Sequence, residues 1–149
     1  LERFQTQMEL FRYTKEMKRG ANEVDSLVGY LQSEIGSTDM DALYIAQKAL
    51  VKALSKELRG YGEERFFNGQ TELHEAYQKY YIELLELASA DILADLTKMR
   101  YDLVEFNSIA SSTEISAKKT LSFFDNEMRL LTKREARFVK RNLPKAPKR

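Results

Sequence analysis

The sequence predicts an all-α protein, an elongated antiparallel four-helix bundle in up-down-up-down order. Three observations predict it. Both prolines, Pro144 and Pro147, lie in the last six residues, and the stretch Leu1 to Leu143 has none. Proline lacks an N–H and clashes with the preceding turn, so a stretch without it leaves long helices open. Apolar residues recur at alternating steps of four and three in four successive segments, which is one buried stripe per helix. The links between segments are short, so neighbouring helices run antiparallel. The alternative is three very long helices in an elongated antiparallel dimer.

The first segment runs from about Arg3 to Ile35. Leu10, Thr14, Met17, Ala21, Val24, Val28, Leu31 and Ile35 form its stripe, and Phe4, Met8 and Phe11 widen the start. Gly20 and Gly29 each cost roughly 1 kcal/mol relative to alanine and could bend the helix. Gly36 is the C-terminal stop. The second segment starts at Ser37-Thr38-Asp39-Met40-Asp41, a hydroxyl cap followed by acids that face the helix dipole. Met40, Leu43, Ala46, Leu50, Leu54 and Leu58 carry its apolar face, and Gly60 and Gly62 end it. Asn68-Gly69 is the clearest turn in the chain.

The third segment is the longest, from about Thr71 to Asn107. It contains two apolar series: Leu73, Tyr77, Tyr80, Leu84 and Leu87, then Ile92, Leu96, Met99, Leu103 and Phe106. They are out of phase by one extra residue around Ala88-Ser89-Ala90, which marks a local change of winding or of neighbour. After a polar link from Ser108 to Thr113, the fourth segment keeps strict spacing: Ala117, Leu121, Phe124, Met128, Leu131, Glu135 and Phe138. Glu135 is the single charge on that stripe, and this close to the helix end a frayed position is expected. Leu143-Pro144 ends the helix. The domain is therefore residues 1–143, with a mobile basic tail over 144–149.

Composition narrows the function. At 43% hydrophobic and 32% charged residues, the chain is globular, and 149 residues make one domain. The formal net charge is +1, so no whole-molecule field selects nucleic acid or membrane. With no cysteine there is no disulfide, thiolate nucleophile or cysteine-held metal. No run is long enough to span a bilayer and no leader pattern opens the chain. This favours an intracellular setting, although the chain opens at Leu1 rather than Met.

No arrangement of residues points to catalysis. His74 is the single histidine, too few for a two-histidine di-iron centre, and an ordinary, partly exposed helical position is expected for it. The acid pairs Glu72/Glu75, Glu83/Glu86, Asp91/Asp95 and Asp102/Glu105, with Lys79, Lys98 and Arg100 among them, read as a solvated face. No calcium-loop spacing, phosphate-cradling glycine loop or dinucleotide fingerprint occurs. The expectation is a protein without enzymatic activity, cofactor or metal.

The C-terminus carries the most specific charge feature. Eight of the seventeen residues from Lys133 to Arg149 are basic and only Glu135 is acidic. Helix-end capping needs fewer cations than that. The expected function is an interaction or scaffold module that binds a protein partner, or a second copy of itself, through a helix face. Arg137, Lys140, Arg141, Lys145 and Lys148 would attach to an acidic surface, whether protein, anionic membrane or RNA. Phe66, Phe67 and Tyr81 form a secondary contact patch, with Tyr77 and Tyr80 filling the seam. Two other readings stand beside this one. They are a sensory bundle holding a small ligand between its helices, and nucleic-acid binding through the basic end.

Overall fold

A computed structural model describes residues 2–62 and 67–144. The α-helices are α1 (Glu2–Glu34), α2 (Met40–Gly60), α3 (Glu72–Glu86), α4 (Ile92–Phe106) and α5 (Ser111–Asn142), with a π-helical turn, Leu87–Asp91, between α3 and α4. That turn joins α3 to α4 without a break, so the chain forms four rods. Among the described residues there is no strand. The protein is an all-α four-helix bundle.

All eight stripe positions from Leu10 to Ile35 are buried, Phe4, Met8 and Phe11 are exposed rather than widening that stripe, and α1 runs unbroken through Gly20 and Gly29. The start of α2 is capped by Asp39 rather than by a hydroxyl. Its carboxylate accepts the Ala42 N–H at 3.1 Å, and the Ser37 hydroxyl oxygen accepts the Asp39 N–H. A carboxylate serves this position as well as a hydroxyl does and also meets the positive end of the helix. Asn68 and Gly69 both have positive φ, 51° and 73°. They close a tight turn in which Phe67 and Gln70 exchange backbone hydrogen bonds. Asparagine and glycine tolerate this backbone, which other residues avoid.

The phase shift in the third segment has a direct structural counterpart. The step from Leu87 to Ile92 is five residues, and those residues form the π turn. One inserted residue widens a single turn and returns both stripes to the same side of the rod. Leu73, Tyr77, Tyr80 and Leu84 before the turn and Ile92, Leu96 and Met99 after it are all buried, whereas Leu87 and Leu103 are half-buried and Phe106, at the end of the rod, is exposed. The Gln47 side chain, itself buried, donates to the Ala88 carbonyl in the turn at 2.8 Å.

The rods pack as a ring. α1 lies against α2 and α5, and α3 with α4 lies against the same two helices. Contact pairs fall in α5 as they rise in α1: Tyr13 meets Phe138, Lys18 meets Glu135 and Gln32 meets Asp125. The same holds between the third rod and α5, where Tyr77 meets Glu135 and Asp102 meets Thr113. Both pairs of helices therefore run antiparallel. This brings the start of α1, the start of α3 and the basic end of α5 to one end of the bundle.

Candidate functional site

The last turns of α5 carry the candidate basic site. Antiparallel packing places Arg134, Arg137 and Arg141 beside α3, where they line a groove of about 440 Å³ with Glu72, Glu75 and Lys79. The spacing of these arginines, three and then four residues, puts them on one side of the helix. The Arg141 guanidinium pairs with the Glu72 carboxylate and lies 5.9 Å from the centre of the Phe138 ring. Arg137 and Lys140 are exposed and enter no ion pair among the described residues. Lys145 and Lys148 lie outside the described residues.

The basic surface continues onto α1. Lys18 is 53% exposed and reaches the Glu135 carboxylate at 2.9 Å, which fixes this flank of α1 against α5. Thr14, Lys15, Lys18, Arg19 and Asn22 line a shallow groove there. The two basic stretches, well separated in sequence, are neighbours in space.

The expected aromatic contact patch is not a surface. Tyr81 is 0% exposed and Phe67 is buried, while Phe66 lies outside the described residues. Phe67 packs against Tyr13 and Phe138, and Tyr81 against Tyr61, Tyr77 and Tyr80. The physical reason is a wide contact arc: α3 packs against α2 on one side and α5 on the other, so Tyr80 and Tyr81 both turn inward. His74 is corrected for the same reason. It is 4% exposed, next to buried Leu73, with its ring 5.1 Å from the Tyr61 ring centre.

Glu135 is also corrected. It does not fray but is 3% exposed and held from two sides. Tyr77 donates to Oε1 at 2.8 Å and Lys18 to Oε2 at 2.9 Å. Burial, followed by the Glu135 carboxylate, pushes the Tyr77 phenol above its ordinary range. Burial, with Asp25 next, does the same to Tyr80. Burial also raises the Glu127 carboxyl, with help from neighbouring Glu83.

Asp102 belongs to no solvated face. It is 2% exposed and caps the next helix from outside it. Its Oδ2 accepts the Thr113 hydroxyl at 2.6 Å and the Ala110 N–H at 3.1 Å, with Lys98 at 3.5 Å from Oδ1. The Thr113 hydrogen bond first, then the Ala110 N–H and Lys98, hold its carboxyl below the usual range. Sequence reasoning missed the roles of Gln47, Asp102 and Lys18. Gln47 gave a signal, because it falls between buried Leu43 and Leu50 at steps of four and three, and Asp102 gave a fainter one, three residues after buried Met99.

Among the described residues, no group of three or more His, Asp or Glu is placed to hold a metal ion. No described helix is long and apolar enough to cross a membrane. No protein-family model, curated protein or solved structure matches the chain.

Proposed function

We propose that this chain is a non-catalytic interaction or scaffold module whose basic bundle end attaches to an acidic surface. The supporting observation is the exposure of Arg137, in the groove with Arg134 and Arg141, and of nearby Lys140, neither with an ion-pair partner among the described residues. Cations that serve only as helix caps would sit in the last turn, near the free carbonyls. Here they extend back to Lys133 and across to Lys15 and Lys18 of α1. A patch of this kind accelerates encounter with anionic partners and sets orientation more than it adds affinity.

The experiment compares the wild type with Arg137→Glu/Lys140→Glu/Arg141→Glu on immobilised polyglutamate. The wild type is retained at about 50 mM salt and released near 500 mM, where screening lengths shrink to a few ångströms. The triple variant is not retained. Equal retention of both proteins, or none of the wild type, defeats the proposal.

A further inference from the structure

The outer face of α1 adds a second observation. Phe4, Met8, Phe11, Lys15, Lys18 and Asn22 follow strict steps of four and three, so they form one stripe along the helix. This is not the buried stripe, which runs through Leu10, Thr14, Met17 and Ala21. Its apolar part is open to solvent: Phe4 is 63% exposed, and Met8 and Phe11 are each 46% exposed. Single exposed apolar residues are ordinary, but three in register on one helix face are a feature. Glu2, Glu9 and Glu16 recur every seven residues on a different face. Over the first turns of α1 the surface thus reads as an apolar tip followed by cations, with Glu2, Glu9 and Glu16 turned away; exposed Asp125 of α5, held by Gln32, is an acid on the adjoining flank.

α5 extends the cationic part. Gln32 donates to Asp125 at 2.7 Å, which turns the Asp125 flank of α5 toward α1. Arg129 lies four residues beyond Asp125 on that flank, and Lys133 and Lys140 follow toward the C-terminus. All three are exposed. Lys15, Lys18 and Arg19 of α1 lie across the seam, joined to α5 by the Lys18–Glu135 pair. Two helices therefore supply one broad basic surface that ends in Phe4, Met8 and Phe11.

We infer that this α1–α5 face docks on an anionic lipid bilayer, with Phe4, Met8 and Phe11 entering the interfacial layer and the cations meeting lipid headgroups. The inference rests on the reading of the basic end as an attachment surface and names its partner. Apolar side chains beside lysine and arginine on one helix face are the chemistry of interfacial binding. Contacts made through charge alone give the exposed Phe and Met nothing to bury, whereas a bilayer interface buries them beside the cations.

The test uses vesicles of neutral lipid alone and vesicles with about a third anionic lipid, with heparin as a soluble polyanion. The wild type co-sediments with anionic vesicles and not with neutral ones. Phe4→Ser/Met8→Ser/Phe11→Ser lowers vesicle partitioning about tenfold and leaves heparin binding within about twofold. Lys15→Glu/Arg19→Glu lowers both. All these side chains are solvent-exposed, and an unchanged circular dichroism melt confirms that each variant is folded. Vesicle binding that is indifferent to the serine triple variant overturns the lipid inference while leaving the electrostatic reading intact. Equal binding to neutral vesicles, or heparin binding without vesicle binding, also overturns it. Loss of heparin binding by the wild type removes the underlying reading itself.

Discussion

Tyr77 on α3 donates its phenolic hydrogen to Glu135 on α5 at 2.8 Å, well inside the core, and Lys18 on α1 holds the other carboxylate oxygen. Three helices converge on one carboxylate. Tyr77→Phe leaves an oxygen of Glu135 with one donor fewer in a buried site, and the expected cost is about 1–3 kcal/mol by urea denaturation. Adding Glu135→Leu to that variant recovers part of the loss, because replacing both partners with apolar groups approaches neutrality. A double variant less stable than the sum of the singles would contradict this arrangement.

The same burial governs behaviour in alkali. The Tyr77 and Tyr80 phenols are raised above their ordinary range, chiefly by burial and next by Glu135 and Asp25 respectively. A raised folded-state pKa means stability that is present in full below the unfolded value. It is lost as pH climbs above about 10, by about 1.4 kcal/mol per pH unit for each phenol. Absorbance at 295 nm should show these two of the eight tyrosines ionising only as helicity disappears. Titration of every tyrosine near pH 10 in a fully helical protein would refute the buried aromatic centre.

Asp102 gives the acid-side counterpart. Its carboxyl is lowered, first by the Thr113 hydroxyl and then by Ala110 N–H and Lys98. A lowered folded-state pKa contributes stability above the ordinary carboxylate range, lost as pH falls through the folded value. The link and first turn of α5 depend on this one side chain. Hydrogen exchange over residues 108–116 should therefore accelerate at acid pH before the rest of the bundle does. Asp102→Asn should bring that acceleration to neutral pH, and protection unchanged by the substitution would exclude the cap.

Two glycines of α1 should respond in opposite directions to alanine. A Cβ on Gly20 would overlap the Glu57 carboxylate and lie 2.9 Å from the Tyr81 hydroxyl oxygen, whereas Gly29 has nothing within 4 Å. Gly29→Ala gains about 0.5–1 kcal/mol of helix propensity. Gly20→Ala gains the same term but must displace Glu57 and a rigid buried tyrosine, an overpacking cost of about 1–3 kcal/mol. Thermal melts should rank Gly29→Ala above wild type and Gly20→Ala below it. The same sign for both would show that close packing at Gly20 is not real.

The rods were legible because four–three spacing reports helix faces directly. Even the π turn was legible as one residue too many between Leu87 and Ile92. The width of a buried face was not legible. Spacing locates the middle of a stripe, but Tyr81 and His74 lie at its margin, and only the presence of two packed neighbours turns them inward. The buried polar residues followed a related pattern. Glu135 interrupts its stripe, Gln47 and Asp102 stand one step beside theirs, and each is buried against a partner from another element. The sequence shows the positions, while the partner depends on which elements become neighbours. The joining of Lys15, Lys18 and Arg19 to the α5 cations was hidden for that reason too.

The most direct measurement of the central proposal is the salt dependence of binding to an anionic surface. The logarithm of the wild-type association constant should fall linearly with the logarithm of salt concentration, since each neutralised anionic group releases counterions. The slope should become shallower by roughly one for each contacting cation removed, in Arg137→Glu and Lys140→Glu singly and then together. A flat salt response, or a slope that these substitutions leave unchanged, would contradict the assignment of the basic bundle end as the attachment surface.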